Sequence, residues 1–315
     1  MTKPIKQRKE TTLETRNKTT RCTWYGICRG ALSTIAKKDM KKRRTLLSVL
    51  TAVVLIAIIG TPWPQACHAA ESQSQEELAK AAQNPIANMI SIPVQINFNF
   101  DYGQNRDKSQ IVTNLQPVIP IHLNEDWNVI TRTILPITYT EYPAYQTGLG
   151  NLQFTGFFSP AKQGTFTWGA GPVFQFPTHT DTFLGGDKWS AGPSAVGLVI
   201  KGHWVVGLLA QNIWSYAGSS TTRDNPSINQ FLAQAFINYN LPKGWYLTTS
   251  PIITADWTAA GSDQWTVPVG GGFGKIFKAG GLHFNSNLAA YYNVVRPEIG
   301  PNWTLRLQVV LLLPE

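Results

Sequence analysis

Ile92-Pro93-Val94-Gln95-Ile96-Asn97-Phe98-Asn99-Phe100-Asp101-Tyr102 alternates apolar with polar residues along its whole length. Successive side chains of a strand point to opposite faces, so this stretch reads as a β-strand with one oily face and one wet one. The same reading downstream gives twelve strands, near residues 90–102, 110–121, 127–139, 150–159, 165–177, 189–200, 203–216, 228–240, 245–257, 264–277, 282–294 and 302–313. No comparable helical period appears among them. The links after the even strands are short (123–126, 160–164, 201–202, 241–244 and 278–281), whereas those after the odd strands are mostly longer and more polar, as at 140–148, 178–188 and 217–227. Short and long turns alternating along an even number of strands predict an all-β fold: a transmembrane, antiparallel, up-and-down β-barrel of about 12 strands, with short periplasmic turns and longer extracellular loops. A soluble β-sandwich is the competing fold.

The tryptophans sharpen that choice. Trp127, Trp204 and Trp245 open odd strands on the short-turn side, while Trp189, Trp214, Trp257, Trp265 and Trp303 fall at the long-loop side. Indole rings prefer the headgroup boundary, so two aromatic girdles around an aliphatic band fit a wall that faces lipid. The opposite face carries Asn97, Asn99, Asp101, Arg132, Gln234, Asn238, Tyr246, Asn285, Asn287, Tyr291 and Arg306, and these are the candidates for lining the lumen. Backbone polar groups inside a bilayer must be paired within the protein, so such strands have to close into a ring with an amide-rich interior.

The N-terminus reads as an address. Of the 27 Lys and Arg, 14 lie in residues 1–44 with only 3 Asp or Glu; the remaining 13 stand against 15 acidic residues after residue 70. The net charge of +9 therefore belongs to a tail and gives no reason to expect nucleic acid as a partner. Met40-Lys41-Lys42-Arg43-Arg44, the apolar run Leu46 to Ile59 and the small residues around Ala69-Ala70 make up the three regions of a signal peptide over 40–70, cleaved near Ala69 or Ala70. Residues 1–39 read as a long leader or an extension upstream of the natural start. Residues 71–89 form a periplasmic segment or plug ahead of a barrel spanning 90–315, with one or two helical turns expected between Glu71 and Asn84.

Catalytic and cofactor chemistry finds little to stand on. All three cysteines, Cys22, Cys28 and Cys67, precede residue 71, and no cluster of metal ligands is evident, so neither a metal nor a cofactor is expected. An outer-membrane hydrolase could draw on His203, His283 and Ser286, but His283 and Ser286 point to opposite faces of one strand and no Gly-x-Ser-x-Gly elbow occurs. Gly270-Gly271-Gly272-Phe273-Gly274 sits inside a strand with no helix after it, so close packing in a curved wall explains it better than a phosphate loop. No catalytic residue is assigned.

Asn84-Pro85-Ile86-Ala87-Asn88-Met89-Ile90-Ser91-Ile92-Pro93, Gln116-Pro117-Val118-Ile119-Pro120, Leu123-Asn124-Glu125-Asp126-Trp127-Asn128, Phe157-Phe158-Ser159-Pro160, Lys188-Trp189-Ser190-Ala191-Gly192-Pro193 and Val267-Pro268-Val269-Gly270-Gly271-Gly272 together resemble a family of bacterial outer-membrane barrel transporters. That family is similar to the barrels associated with phenol-degradation pathways, and the resemblance covers residues 78–315. Some of its members carry the inherited label "neuromedin U", a neuropeptide name. The amidated Phe-Arg-Pro-Arg-Asn ending of that peptide has no counterpart here, where the nearest string is Val295-Arg296-Pro297-Glu298.

The resemblance implies outer-membrane lipid, periplasmic chaperones and the barrel-assembly machinery as partners. The chain departs from common barrel practice in ending Leu312-Leu313-Pro314-Glu315 instead of on Phe or Trp. With few interior charges among Asn, Gln, Ser, Thr and Tyr, the expected cargo is a small neutral polar or aromatic solute. A non-conducting structural or adhesive barrel is the alternative function.

Overall fold

A computed structural model describes residues 78–218 and 226–313. The expected leader over 1–39 and signal peptide over 40–70, residues 71–77, residues 219–225 and the last two residues lie outside the described residues. The strands are β1 (Ile90–Tyr102), β2 (Lys108–Leu115 with Val118–His122), β3 (Trp127–Thr140), β4 (Gln146–Leu149 with Leu152–Pro160), β5 (Phe166–Phe176) and β6 (Lys188–Lys201). They continue with β7 (Trp204–Gly218), β8 (Asn229–Asn240), β9 (Trp245–Thr249 with Ile252–Asp256), β10 (Trp265–Ala279), β11 (Leu282–Val295) and β12 (Trp303–Leu313). Each strand pairs antiparallel with the next, and β12 returns to β1 from Ile90↔Leu313 to Phe100↔Trp303. The result is a closed twelve-stranded antiparallel β-barrel with no free edge.

Two strands expected to be continuous, β2 and β9, are interrupted, and β4 gains a first part, Gln146–Leu149, in what was expected to be a loop; the breaks have local causes. Pro117 and Pro251 lack the N–H that a ladder needs, and Gly150-Asn151 interrupts β4. The chain repairs each break. At the first, the Gln116 N–H reaches the Pro93 carbonyl at 2.9 Å, and at the second the Gly150 N–H reaches the Pro136 carbonyl at 2.9 Å. At the third, the Ser250 N–H donates to the Tyr291 hydroxyl at 3.0 Å, so a side chain stands in for a strand. The tightest links are two-residue turns. Gly280 and Gly281 take φ of 58° and 82°, both positive as a type I′ hairpin requires, and Gly202 supplies 58° between β6 and β7.

The period-two pattern sorts the side chains onto two faces. Outside lie Val94, Phe100, Ile119, Ile121, Phe158, Val206, Leu208, Phe273 and Leu305, all exposed although apolar. Seven of the eight expected girdle tryptophans are exposed on this face: Trp127, Trp189, Trp204, Trp214, Trp245, Trp257 and Trp303. Trp265 is half-buried because its ring packs edge-on against Trp257 at 5.3 Å. Trp168 joins the short-turn girdle, edge-to-face with Trp127 at 6.1 Å; it lies two residues inside β5, which hid it from a search of strand ends. Such an outer surface is stable only against hydrocarbon.

The glycine run in β10 serves close approach within the wall. A Cβ on Gly272 would fall 1.9 Å from the Leu288 carbonyl oxygen, and one on Gly274 would fall 2.2 Å from the Tyr246 ring. Both the backbone and a large inward side chain occupy the space that a side chain would need. Gly272→Val should therefore cost about 1–3 kcal/mol or prevent assembly. Gly261→Val, which meets nothing within 4 Å, should be neutral. Heat-modifiable migration of the two variants on gels, read against temperature, checks the difference.

Candidate functional site: the lumen

Except for Asp101, the expected lumen residues lie on the inward-facing sets of their strands, and the structure gathers them into groups of different character. The most connected lies where β12, β1 and β9 meet. Arg306 donates through Nε to Asn97 Oδ1 at 3.0 Å, through Nη1 to the Ser250 carbonyl at 2.8 Å, and its guanidinium stacks on the Tyr291 ring at 4.7 Å. Asn97 also receives Gln95 Nε2 at 3.3 Å. One rung toward the long loops, Thr304 donates to Asn99 Oδ1 at 2.8 Å and Asn99 donates to Gln110 at 3.0 Å. Asp101, with φ of 55° at a bulge near the end of β1, accepts from Asn302 at 3.2 Å and so belongs to the long-loop mouth.

A second group sits lower, toward the short turns. Tyr246 is buried over Gly274 and donates its hydroxyl to Asn285 Oδ1 at 2.6 Å, with Asn287 two residues further along the same face of β11. Arg132 stands apart on β3, where its guanidinium donates to Gln116 Oε1 at 2.7 Å. Gln234 and Asn238 lie on the inward face of β8, Asn238 buried. The sequence reading overlooked Lys188, an inward and buried lysine at the start of β6. Its position at the strand end gave no alternation to read.

The main addition concerns the short-turn half of the interior, where an apolar cluster stands beside the amides. Val118, Ile130, Phe157, Val196, Leu198, Val205, Leu209 and Phe236 all point inward there and enclose Ile86, which is completely buried. Ile86 comes from the segment ahead of β1, which is helical over 78–82 and runs along the inside of the wall. Ala87 and Met89 of that segment pack on Val310 and Leu312, and Ala79 packs on Tyr246 and Ile276. Amides fix it to three separate turns. Gln83 and Asn240 exchange hydrogen bonds at 2.8 and 3.3 Å, Asn84 donates to Gln163 at 3.1 Å, and Gln163 donates back to the Ile86 carbonyl at 2.7 Å. Asn128 donates through Nδ2 to Asn88 Oδ1 at 3.5 Å, and its Oδ1 accepts from His122 Nδ1 at 2.9 Å.

The sequence did carry a sign of this. Phe157-Phe158, Val205-Val206, Leu208-Leu209 and Val309-Val310 are apolar pairs that break the alternation, and each supplies one side chain to either face.

Among the described residues no group of three His, Cys, Asp or Glu is placed to hold a metal ion. On β11, His283 pairs with Leu312 on the inward set and Ser286 pairs with Val309 on the outward set, so they share no site.

Comparison with solved structures supports the architecture. The chain is similar to the COG4313 outer membrane channel from Pseudomonas putida F1, with a TM-score of 0.56 at 18% identity over 72% of this chain and 96% of that one. The NanC porin aligns over 71% of this chain and 99% of its own, at 8% identity and a TM-score of 0.47. At these identities the likeness is one of fold. No family model matches the sequence, and no curated protein matches it.

Arg306 is the residue that ties three strands together across the lumen. Arg306→Lys keeps the charge but loses the planar fork, and should cost roughly 1.5–3 kcal/mol, the scale of one hydrogen bond to a charged group. Arg306→Ala should cost more, and the thermal midpoints of the two variants in detergent provide the check.

Proposed function

We propose that the chain is an outer-membrane channel, delivered by its signal peptide and inserted by the barrel-assembly machinery, that passes small solutes with polar or aromatic character. Support for passage comes from the interior: amides, hydroxyls and two guanidiniums, Arg132 and Arg306, with no salt bridge to either among the described residues. A dozen strands also enclose more room than the side chains of the filled eight-stranded barrel occupy. A neutral solute with hydrogen-bonding groups or an aromatic ring suits the Asn, Gln and Tyr surface of the loop-side half. No catalytic role is proposed.

The observation that carries the reading furthest is the burial of Ile86 among inward apolar side chains. The short-turn end is closed by a piece of chain and not by the wall, and a closure that is added to a ring can also leave it. Residues 78–89 therefore act as a plug, and the closed state is one position of that segment. A permanently filled, structural or adhesive barrel is the second reading, favoured by the apolar cluster that holds the plug in place.

Refolded mature protein in planar bilayers distinguishes the two. Removal of residues 71–86 should raise single-channel conductance several-fold over the intact chain. Equal conductance of both forms would show that the segment is not the constriction. Silence of both forms would select the non-conducting barrel.

A further inference from the structure

The position of Asp101 at the rim changes the sign of the interior. Among the described residues, acids occur within strands only as Asp101 and Asp256, each at the loop-side end of its strand. Both are engaged there: Asn302 donates to Asp101 at 3.2 Å, and the Thr258 hydroxyl donates to Asp256 at 2.6 Å. Cations are distributed differently. Lys108, Lys188, Lys201 and Lys278 stand at or next to strand ends, and Lys275 faces outward over the Trp245 ring at 4.9 Å. Arg132 and Arg306 alone lie on inward faces well inside their strands. The middle of the lumen therefore holds two positive charges and, among the described residues, no negative one. A sequestered charge without a counter-charge is costly, so the imbalance calls for an explanation.

Each guanidinium keeps N–H groups to spare. Arg306 gives Nε to Asn97 and Nη1 to the Ser250 carbonyl and, at 3.4 Å, to the Ser250 hydroxyl, while the Tyr291 ring covers one of its faces. Its Nη2 edge is left. Arg132 gives only Nη2, to Gln116, so that its Nε and Nη1 are left. These groups are not shut into the wall, since the buried side-chain atoms that lack a partner among the described residues are the Ser190 and Ser194 hydroxyls. They open on the lumen. The rung of Arg306 meets β1 at Asn97, and that of Arg132 meets it, through Val118, at Ser91. Those two points are about 20 Å apart along the strand. Arg132 is also the next inward residue above Ile130, which packs around Ile86.

We propose that Arg306 and Arg132 are two successive anion stations, which give the lumen a preference for small carboxylates carrying one negative charge over neutral and cationic solutes of the same size. The inference rests on the channel reading and adds a charge to its cargo: the amides and tyrosines suit the body of the solute, and the guanidiniums receive its acid group. Fixed basic side chains at close quarters select anions, and two separate stations let an ion move on where one deep site would hold it. Their spacing also sets the number of charges, because a small solute reaches one guanidinium at a time.

Selective labelling reads the stations one by one. The chain after residue 70 has five arginines, and nitrogen-15 arginine in the refolded mature protein gives each its own side-chain Nε–H resonance, assigned through Arg132→Gln and Arg306→Lys. Sodium acetate in non-ionic detergent should shift the Arg132 and Arg306 resonances saturably, and the uncharged isostere acetamide should not. Arg106 and Arg296, whose guanidiniums bond Asn302 at the rim, are internal controls that should drift only linearly. In planar bilayers under a potassium chloride gradient, the full mature chain should pass chloride several-fold better than potassium. Arg132→Gln, which removes a side chain with a single hydrogen bond, should at least halve that ratio.

Equal drift of all the resonances, or a response to acetamide that matches the response to acetate, would overturn the stations. So would a cation-selective pore, or a selectivity that Arg132→Gln leaves unchanged. Saturable shifts in a chain that carries no current would leave the stations standing and remove the channel reading instead. Arg306→Lys keeps the charge and should keep the sign of the selectivity, and a reversed sign would count against the proposal.

Discussion

The β12–β1 seam holds the architecture together. Its rungs run without interruption from Ile90↔Leu313 to Phe100↔Trp303, and they join the first strand to the last. In a bilayer no water is available to satisfy an open edge, so eleven strands with a free side would leave a row of polar groups in hydrocarbon. Closure removes that penalty at once. It also creates an inside, and everything of functional interest follows from what occupies it.

The interior divides by height. Toward the long loops, amides, hydroxyls and Arg306 form hydrogen bonds that cross from strand to strand. Toward the short turns, apolar side chains from β2 to β8 and from β12 meet a segment that precedes the first strand. A polar upper half and a lower half in which apolar side chains stand beside amides thus meet inside one ring.

The ring was legible because alternation is a local signal. Ile92 to Tyr102 shows it without any knowledge of partners, and the tryptophans mark where strands cross the headgroup boundary. The inward sets of β1, β8, β11 and β12 followed from the same parity. The apolar cluster around Ile86 was hidden because an apolar side chain facing inward looks, in sequence, like one facing lipid. Only doublets such as Val205-Val206 betray that both faces are apolar at one height. The pairing of two prolines across β5 and β6 was hidden for a different reason. Pro172 and Pro193 are visible in the sequence, but that they oppose each other is a matter of register, and register depends on the strands' mutual alignment. Asp101 shows the limit of parity itself, since a bulge and a positive φ moved it from the lumen to the rim.

The segment carrying Ile86 touches turns that lie far from it along the chain: its amides meet partners 40, 79 and 157 residues downstream. Those turns are neighbours only when β2 through β9 have taken their places around the ring. A peptide whose full set of contacts exists only in a finished circumference is a gauge of completion. A barrel short of one hairpin would bring the wrong turns within its reach, leaving Ile86 in water and the amides without partners. The N-terminus, made first, thus recognises the shape of what is made last.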